Sequence, residues 1–258
     1  MTAAESSADR KRALTATGDD LAALIHHHST DVLLALLDNP SLDETQLCLL
    51  LDRKDLPLEV LAEVAARKNL LKNYRVKRAL AFHPHTPRLV SMRLIRDLYL
   101  MDLAQLALAV GAQPELKRMA EGQLLARLTQ LPLGQKITLA RRGPGRVAGA
   151  LLAEGHPQIL SVVLDNAYLT EAQVLKALAR EKLSPAVSHA IAQHRRWSCV
   201  YSVRLALIRT PGTTLATILT FLPELNASDL RDLSAPGIVP ESLRKYLQSE
   251  LDRRSGTE

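Results

Sequence analysis

The apolar positions of this chain recur every three to four residues, the spacing of helices that bury one face. The clearest stripes are Leu47, Leu50 and Leu51, then Val76 and Leu80, then Leu89, Met92 and Ile95, then Val174, Leu178 and Ala179. Thr170 to Gln173 has the form of a capping box, and Asp43 and Gln46 take the same places earlier in the chain. No segment alternates apolar and polar residues as a strand does. The pattern predicts an all-α fold of short helices, about 10–15 residues each.

The sequence also repeats itself at a constant offset of 127. Residues 37–46 read LDNPSLDETQ, and residues 164–173 read LDNAYLTEAQ. The same offset pairs Tyr74 with Tyr201, Val76 with Val203, Leu80 with Leu207, Pro84 with Pro211, Thr86 with Thr213 and Asp102 with Asp229. One deleted residue then shifts the offset to 126, which pairs Gly111, Pro114, Glu115 and Arg118 with Gly237, Pro240, Glu241 and Arg244. A nearly gapless match of this length indicates a tandem duplication and favours a repeat architecture.

The duplication predicts how the chain is organised. We expect a disordered tail at residues 1–17, copy one at 18–127, a connecting helix and turn at 128–144, and copy two at 145–254. The tail is assigned from its small polar residues and its charged run at 9–12. Residues 255–258 are expected to be a frayed end.

Two phrases of the sequence resemble a known repeat family. Residues 74–87 read YRVKRALAFHPHTP, and residues 201–213 read YSVRLALIRTPGT. Both resemble the opening phrase of the leucine-rich repeat variant, a relative of HEAT-like repeats. The resemblance implies a right-handed α-solenoid whose units pack on their neighbours. Members of that family can carry a cysteine-ligated cluster, but Cys48 and Cys199 stand far apart, so no such site is carried over.

Composition narrows the possible functions. Hydrophobic residues make up 47% of the 258 positions but aromatic residues only 3%, which disfavours a small-molecule pocket with aromatic walls. Two cysteines are too few for a disulfide framework or a zinc site. No apolar run has the length of a membrane span, and the N-terminus lacks the apolar core of a signal peptide. We therefore expect a cytoplasmic protein without a cofactor, a membrane partner or an evident small-molecule substrate.

Charge is the strongest functional signal. Residues 66–96 contain nine basic residues and no acid, in a chain whose formal net charge is +6. Residues 193–223 also lack acids, and a third basic group lies where the copies join. The candidate partner- or phosphate-binding residues are Arg67, Lys68, Lys72, Arg75, Arg78, Arg88, Arg93, Arg96, Arg141, Arg142, Arg146, Arg195 and Arg196. Aligned along a solenoid they would form a positive stripe. A solvated face neutralised by neighbouring units is the equally open alternative. Lys77 and Arg204 are expected to bond to a neighbouring helix instead.

Other motif-like residues have plainer interpretations. The recurring carboxylates Asp38/Asp165, Glu44/Glu171 and Asp102/Asp229 accompany helix ends, where capping explains them. Residues 26–28 are three consecutive histidines; on a helix they would point about 100° apart and could not share a metal ion. We interpret them, with His83 and His85, as surface histidines. Trp197 is expected in the core, with an exposed stacking platform as the alternative. Residues 143–149 are interpreted as a turn rather than a phosphate loop.

Three functions remain after these interpretations. The first is a non-catalytic scaffold that docks an acidic protein segment on its basic face. The second is a protein that binds nucleic acid through phosphate contacts along the same stripe. The third is an enzyme resembling the HEAT-like DNA glycosylases, which the shortage of aromatic residues disfavours.

Overall fold

A computed structural model describes residues 3–235 and 238–255, and within these residues the chain is entirely helical, with no strand. The predicted all-α fold is therefore confirmed. Three predictions lie partly outside this range: residues 1–2 of the expected disordered tail, Gly237, a paired position of the duplication, and residues 256–258 of the expected frayed end.

Eighteen α-helices form from the described residues. The first nine are α1 (Ala3–Thr15), α2 (Gly18–Leu24), α3 (Thr30–Leu36), α4 (Glu44–Asp52), α5 (Leu58–Ala66), α6 (Tyr74–Phe82), α7 (Arg88–Ile95), α8 (Leu100–Leu108) and α9 (Pro114–Arg127). The other nine are α10 (Leu133–Arg142), α11 (Gly145–Glu154), α12 (Pro157–Val163), α13 (Glu171–Leu178), α14 (Pro185–Gln193), α15 (Tyr201–Arg209), α16 (Leu215–Phe221), α17 (Ala227–Ser234) and α18 (Glu241–Ser255). Contacts divide the chain into two compact units, Met1–Leu124 and Leu125–Glu258.

The first unit is built from helices that pack on the helix two places along the chain. Helix α1 packs on α3 and α3 on α5, while α4 packs on α6. Leu33 and Leu36 of α3 and Leu47 and Leu50 of α4 are buried in its core. Asp43 accepts a hydrogen bond from the Gln46 N–H (2.7 Å), and the Gln46 side chain accepts one from the Asp43 N–H (3.0 Å), so the capping box predicted at α4 is confirmed.

The second unit repeats these contacts and adds extensive packing of α11 on α13, which α2 and α4 of the first unit do not match. Helix α10 packs on α12 and α12 on α14, while α11 packs on α13 and α13 on α15. Val147, Leu151, Val174 and Ile191 are completely buried between these helices. Helix α11 ends at Gly155, whose φ of 75° is left-handed and suits a residue without a Cβ.

A buried asparagine joins its own turn to the end of an earlier helix in each unit. The Asn39 side chain donates to the carbonyls of Ala13 and Ala16 (both 2.8 Å) and accepts from the Ser41 N–H (2.7 Å). Asn166, its counterpart in the second copy, donates to the carbonyls of Ala140 (2.8 Å) and Gly143 (3.1 Å) and accepts from the Tyr168 N–H (2.7 Å). The amide therefore satisfies carbonyls that the end of α1 or α10 would otherwise leave unpaired.

A tyrosine–carboxylate pair also occurs in both units. The Tyr74 hydroxyl donates to Asp102 and accepts from the Tyr99 N–H (2.9 Å). The Tyr201 hydroxyl donates to Asp229 and accepts from the Asn226 N–H (3.1 Å). Burial and the nearby Asp102 raise the pKa of Tyr74 to about 12, so the phenol stays protonated and keeps donating. These contacts fasten α6 to α8 and α15 to α17.

The structure differs from the expectation at the predicted disordered tail, whereas the helix expected in the connecting segment is present as α10. Residues 3–15 of the predicted disordered tail form α1, whose Ala13 is completely buried. Most of the predicted connector, 128–144, is occupied by α10, which stands in the place that α1 has in the first unit. Copies that begin at residues 18 and 145 therefore leave out α1 and α10, although each of these helices packs within its unit. The reason is that α1 is secured by Asn39 rather than by an apolar stripe of its own.

Two finer predictions also differ. In α7, Leu89 is 78% exposed, whereas Leu94 and Ile95 are buried. The buried face of α7 therefore differs from the predicted stripe, which included Leu89. In the last helix of each unit the buried positions Leu116 and Leu243 correspond at the offset of 127 rather than 126. The packing of this helix therefore keeps the original offset and does not follow the one-residue shift that the sequence suggests.

Candidate functional site

Arg67, the first residue of the predicted basic run, is committed to the fold. Its guanidinium donates to the carbonyl of Leu37 (2.5 Å), to the carboxylate of Asp38 (2.7 Å) and to that of Glu63 (2.8 Å). Burial lowers the pKa of Arg67, but the two carboxylates outweigh it and the net shift is upward. Arg67 joins the end of α5 to the end of α3, so it is not available to a partner.

Other cations of this run also have carboxylate partners. The pairs are Lys77 with Asp97 (2.8 Å), Arg78 with Asp102 (2.6 Å), Arg88 with Glu115, and Arg75 with Glu44 (3.8 Å). The structural interpretation of Lys77 and Arg204 is confirmed, because Arg204 binds Glu224 at the position that corresponds to the Lys77–Asp97 pair. The alternative of a face neutralised by neighbouring helices thus describes much of the first-unit run.

The other four predicted binding residues of the first unit are also exposed. Lys68 and Lys72 are exposed on the turn between α5 and α6, and they have no ion-pair or hydrogen-bond partner among the described residues. Arg93 is exposed in α7 and likewise has no partner in that part of the chain, while Arg96 is exposed just after α7. These cations belong to separate elements.

The predicted cations of the second unit fall into three places. Arg141 and Arg142 are exposed in the last turn of α10. Arg195 is exposed in the turn after α14, and neighbouring Arg196 donates to the Leu169 carbonyl (3.3 Å). Arg146 is exposed in the first turn of α11.

Trp197 is part of the core, as expected. Only 2% of its surface is exposed, and its indole N–H donates to the carbonyl of Leu164 (2.9 Å). The Arg196 guanidinium lies over the ring, 4.3 Å from its centroid. The alternative of an exposed stacking platform is wrong, because a buried ring presents no face to a nucleic-acid base.

Arg146 belongs to a groove between α11 and α13 that also contains two cations the sequence analysis did not select. The groove has a volume of about 290 Å³, and Lys176 and Arg180 lie along its α13 side. Gln173 and Leu125 of α9 also line the groove, and we call its small lining residues the floor: Gly149, Ala150, Ala153 and Ala177. We call this feature the α11/α13 groove.

The relative direction of the two helices follows from Gln173. A Cβ added at Gly149 would lie 3.1 Å from the Cβ of Gln173, and one at Gly145 would lie 2.8 Å from the Gln173 amide. Gln173 is in the first turn of α13, so the first turns of α11 and α13 lie side by side. Arg146 therefore stands at one end of the groove and Arg180, just after α13, at the other, with Lys176 between them.

The lining of the groove supplies no carboxylate to Lys176 or Arg180. Among the described residues, those that line the groove include no Asp or Glu. The side chains of Lys176 and Arg180 are exposed and make no hydrogen bond or ion pair with the described part of the chain. Like charges along one concavity reinforce one another, so the groove attracts anions.

The corresponding place in the first unit has different chemistry. The counterparts of the three cations at the offset of 127 are Asp19, Leu49 and Arg53. Arg53 turns inward and donates to the carbonyls of Ile25 (2.5 Å) and His27 (2.9 Å). An acid, an exposed leucine and a buried guanidinium cannot form the same anion site, so the groove is a property of the second unit.

A sequence signal for Lys176 and Arg180 did exist. The predicted basic segments contain no acids, whereas Lys176 and Arg180 lie between Glu171 and Glu181. Comparing the two copies position by position would have selected Lys176, because Leu49 occupies its counterpart.

The histidines divide into two kinds. Residues 26–28 lie in the turn after α2 rather than on a helix. His83 is buried, so its interpretation as a surface residue is wrong. Its Nε2 lies 2.6 Å from the Arg53 carbonyl and donates to it, while its Nδ1 accepts from the His85 N–H (3.1 Å). Burial lowers the pKa of His83 and favours this neutral ring.

The described residues form no metal-binding cluster, disulfide or membrane-spanning helix. No group of three or more His, Cys, Asp or Glu side chains in this part of the chain is placed to hold a metal ion. Cys48 and Cys199 are both free thiols. None of the helices formed by these residues combines the length and apolarity that a membrane span requires.

Comparison with known proteins leaves the chain without an assigned family. No protein-family model, no curated protein and no solved structure matches it.

Proposed function

We propose that this chain is a non-catalytic α-helical repeat scaffold that docks an acidic protein partner in the α11/α13 groove. The observation that carries the proposal is the row of Arg146, Lys176 and Arg180, in which the last two have no partner among the described residues. Arginine binds carboxylates through two parallel hydrogen bonds, and lysine adds a third positive charge. The small floor leaves space for a bound chain.

We also propose the finer architecture: two tandem copies of one nine-helix module, each a right-handed solenoid resembling the leucine-rich repeat variant. The recurrence of the Asn39 and Asn166 contacts at an offset of 127 supports it. So does the recurrence of the Tyr74–Asp102 pair as Tyr201–Asp229. In repeat proteins of this kind the shared contacts maintain the stack, and exposed positions are free to acquire binding chemistry.

Binding of a nucleic-acid backbone is the second candidate. Arg141, Arg142 and Arg195 are exposed outside the groove and have no partner among the described residues, so phosphates could use them. Neutralising several phosphates gives a steep loss of affinity with salt, which distinguishes this mode from docking of a short acidic peptide.

The test measures binding of a fluorescent glutamate-rich peptide to the full chain by anisotropy. We expect Arg146→Gln, Lys176→Gln and Arg180→Gln together to weaken binding about thirtyfold, since each exposed ion pair contributes up to about 1 kcal/mol. The matched control is Lys68→Gln, Lys72→Gln and Arg93→Gln, which removes the same charge from the first unit and should change affinity less than about threefold.

The opposite ranking of these two variants would place the partner on the first-unit run and refute the groove. Tighter binding of labelled duplex DNA than of the peptide, with the steeper salt dependence, would favour the second candidate. Circular dichroism of each variant verifies that its helices are intact.

A further inference from the structure

We infer that the α11/α13 groove binds its partner as an extended segment with acidic side chains at alternate positions. The inference rests on the proposed function and adds the conformation and the spacing of the ligand. It depends on three features of the groove: its length, the separation of its cations and the size of its floor residues.

The length of the groove is fixed by the helices that form it. Its lining extends along α11 from Arg146 to Ala153 and along α13 from Gln173 to Arg180. Seven residues of α-helix rise by about 10 Å, which matches three to four residues of an extended chain at about 3.3 Å each. A short extended segment therefore matches the length of the groove.

The spacing of the cations selects the pattern of acids. Lys176 is in the last turn of α13, and Arg180 lies two residues after the end of that helix; the backbone stays in a closed turn there, because the Ala179 N–H donates to the Leu175 carbonyl (3.0 Å) and the Arg180 N–H to the Ala177 carbonyl (3.3 Å). Four residues rise by about 6 Å, close to the separation of about 6.6 Å between alternate side chains of an extended strand. Alternate residues of a strand point to the same side, so two acids at positions i and i+2 can meet Lys176 and Arg180 together.

The floor of the groove favours close approach of a peptide backbone. Gly149, Ala150, Ala153 and Ala177 have no side-chain atoms beyond Cβ, and none of the residues lining the groove is aromatic. A nucleic-acid strand usually gains affinity by stacking its bases on aromatic rings, which this lining does not offer. The lining therefore fits an acidic peptide better than a nucleic-acid strand.

The decisive experiment compares two labelled peptides of equal charge and composition, one with Glu alternating with Gly and one with the same glutamates in a single block. Titration of the full chain is expected to show about fivefold tighter binding of the alternating peptide, as the loss of one well-placed ion pair predicts. A steric variant is measured beside it. Ala150→Leu should reduce binding of the alternating peptide at least tenfold by filling the floor, without changing any charge.

The matched control for the steric variant is Ala23→Leu, the counterpart of Ala150 in the first unit, where Ala23 is exposed. It should bind both peptides like the unsubstituted chain. Equal affinity for the two peptides, with both lost in the triple glutamine variant, would overturn the extended pattern while leaving the proposed scaffold function intact. Unchanged binding by Ala150→Leu, or tighter binding of an oligothymidine strand than of either peptide, would overturn the peptide groove itself.

Discussion

The α2/α4 surface of the first unit and the α11/α13 groove of the second are built from helices that correspond at the offset of 127. Gln46 and Gln173 stand at the same place in them, and both accept a hydrogen bond from their N-cap N–H. The exposed positions differ: Asp19 corresponds to Arg146, and Leu49 to Lys176. Helices that correspond in sequence thus carry an acid and an apolar residue at these positions in one unit and cations in the other.

This comparison separates contacts that maintain the fold from groups that are available for binding. Arg53 and Arg180 occupy equivalent positions, yet Arg53 satisfies the carbonyls of Ile25 and His27, whereas Arg180 faces the groove. Lys77 and Arg204 also occupy equivalent positions, but these two residues behave alike, since each is paired with a carboxylate. A basic residue indicates binding only where the fold leaves it without an acid or a carbonyl.

Trp197 provides the largest expected difference between the units. We expect Trp197→Ala to destabilise the second unit by about 3–5 kcal/mol, because it empties a buried site and leaves the Leu164 carbonyl without its donor. Leu70→Ala, the matched change in the first unit, should cost only about 1–2 kcal/mol, since Leu70 is partly exposed. Urea unfolding followed by circular dichroism measures both; equal losses would contradict the assignment of Trp197 as a core residue.

The buried asparagines should behave alike in the two units. Asn39→Ala and Asn166→Ala each leave two carbonyls and one N–H without a partner, and each should cost about 2–3 kcal/mol. Hydrogen exchange followed by mass spectrometry reports the loss separately for α1 and α10. A large loss in one unit beside a negligible one in the other would refute the equivalence of these two helices.

The smallest predicted difference is a pH effect confined to the first unit. His83 has a lowered pKa in the fold, so the unfolded chain binds more protons and stability falls as the pH drops below the ordinary value of 6.5. Protonation at Nδ1 would also break the bond from the His85 N–H. The second unit has Thr210 at this position and should lack the effect. His83→Thr should therefore flatten the pH dependence of hydrogen exchange in α6; an unchanged slope would assign it to other groups.

Much of the fold could be predicted from the sequence, because helical stripes and caps are local. The start of α4 at its capping box and the burial of Leu47, Leu50 and Leu51 required only neighbouring residues. Helix α1 could not be predicted in this way. Its last carbonyls are held by Asn39, 23 and 26 residues away, and its own sequence contains no apolar stripe.

The candidate site could be predicted only in part. Arg146 was selected from its basic surroundings, but Lys176 and Arg180 were hidden by nearby acids in the sequence. Conversely, Arg67 was selected although Asp38, 29 residues before it, and Glu63 hold its guanidinium. Distance along the chain does not measure distance between charges once helices pack side by side.

The sequence by itself determined the helical class, the offset of 127 and the places where the two copies differ. These properties follow from the periodicity of apolar residues and from the sequence identity between the copies, so they can be recognised without a structure. Only the tertiary structure decided which cations are neutralised and which remain available. The availability of a charge depends on the carbonyls and carboxylates that packing brings within hydrogen-bond distance, and Arg53, Arg67 and Arg204 each have such a partner 20 to 30 positions away in the sequence.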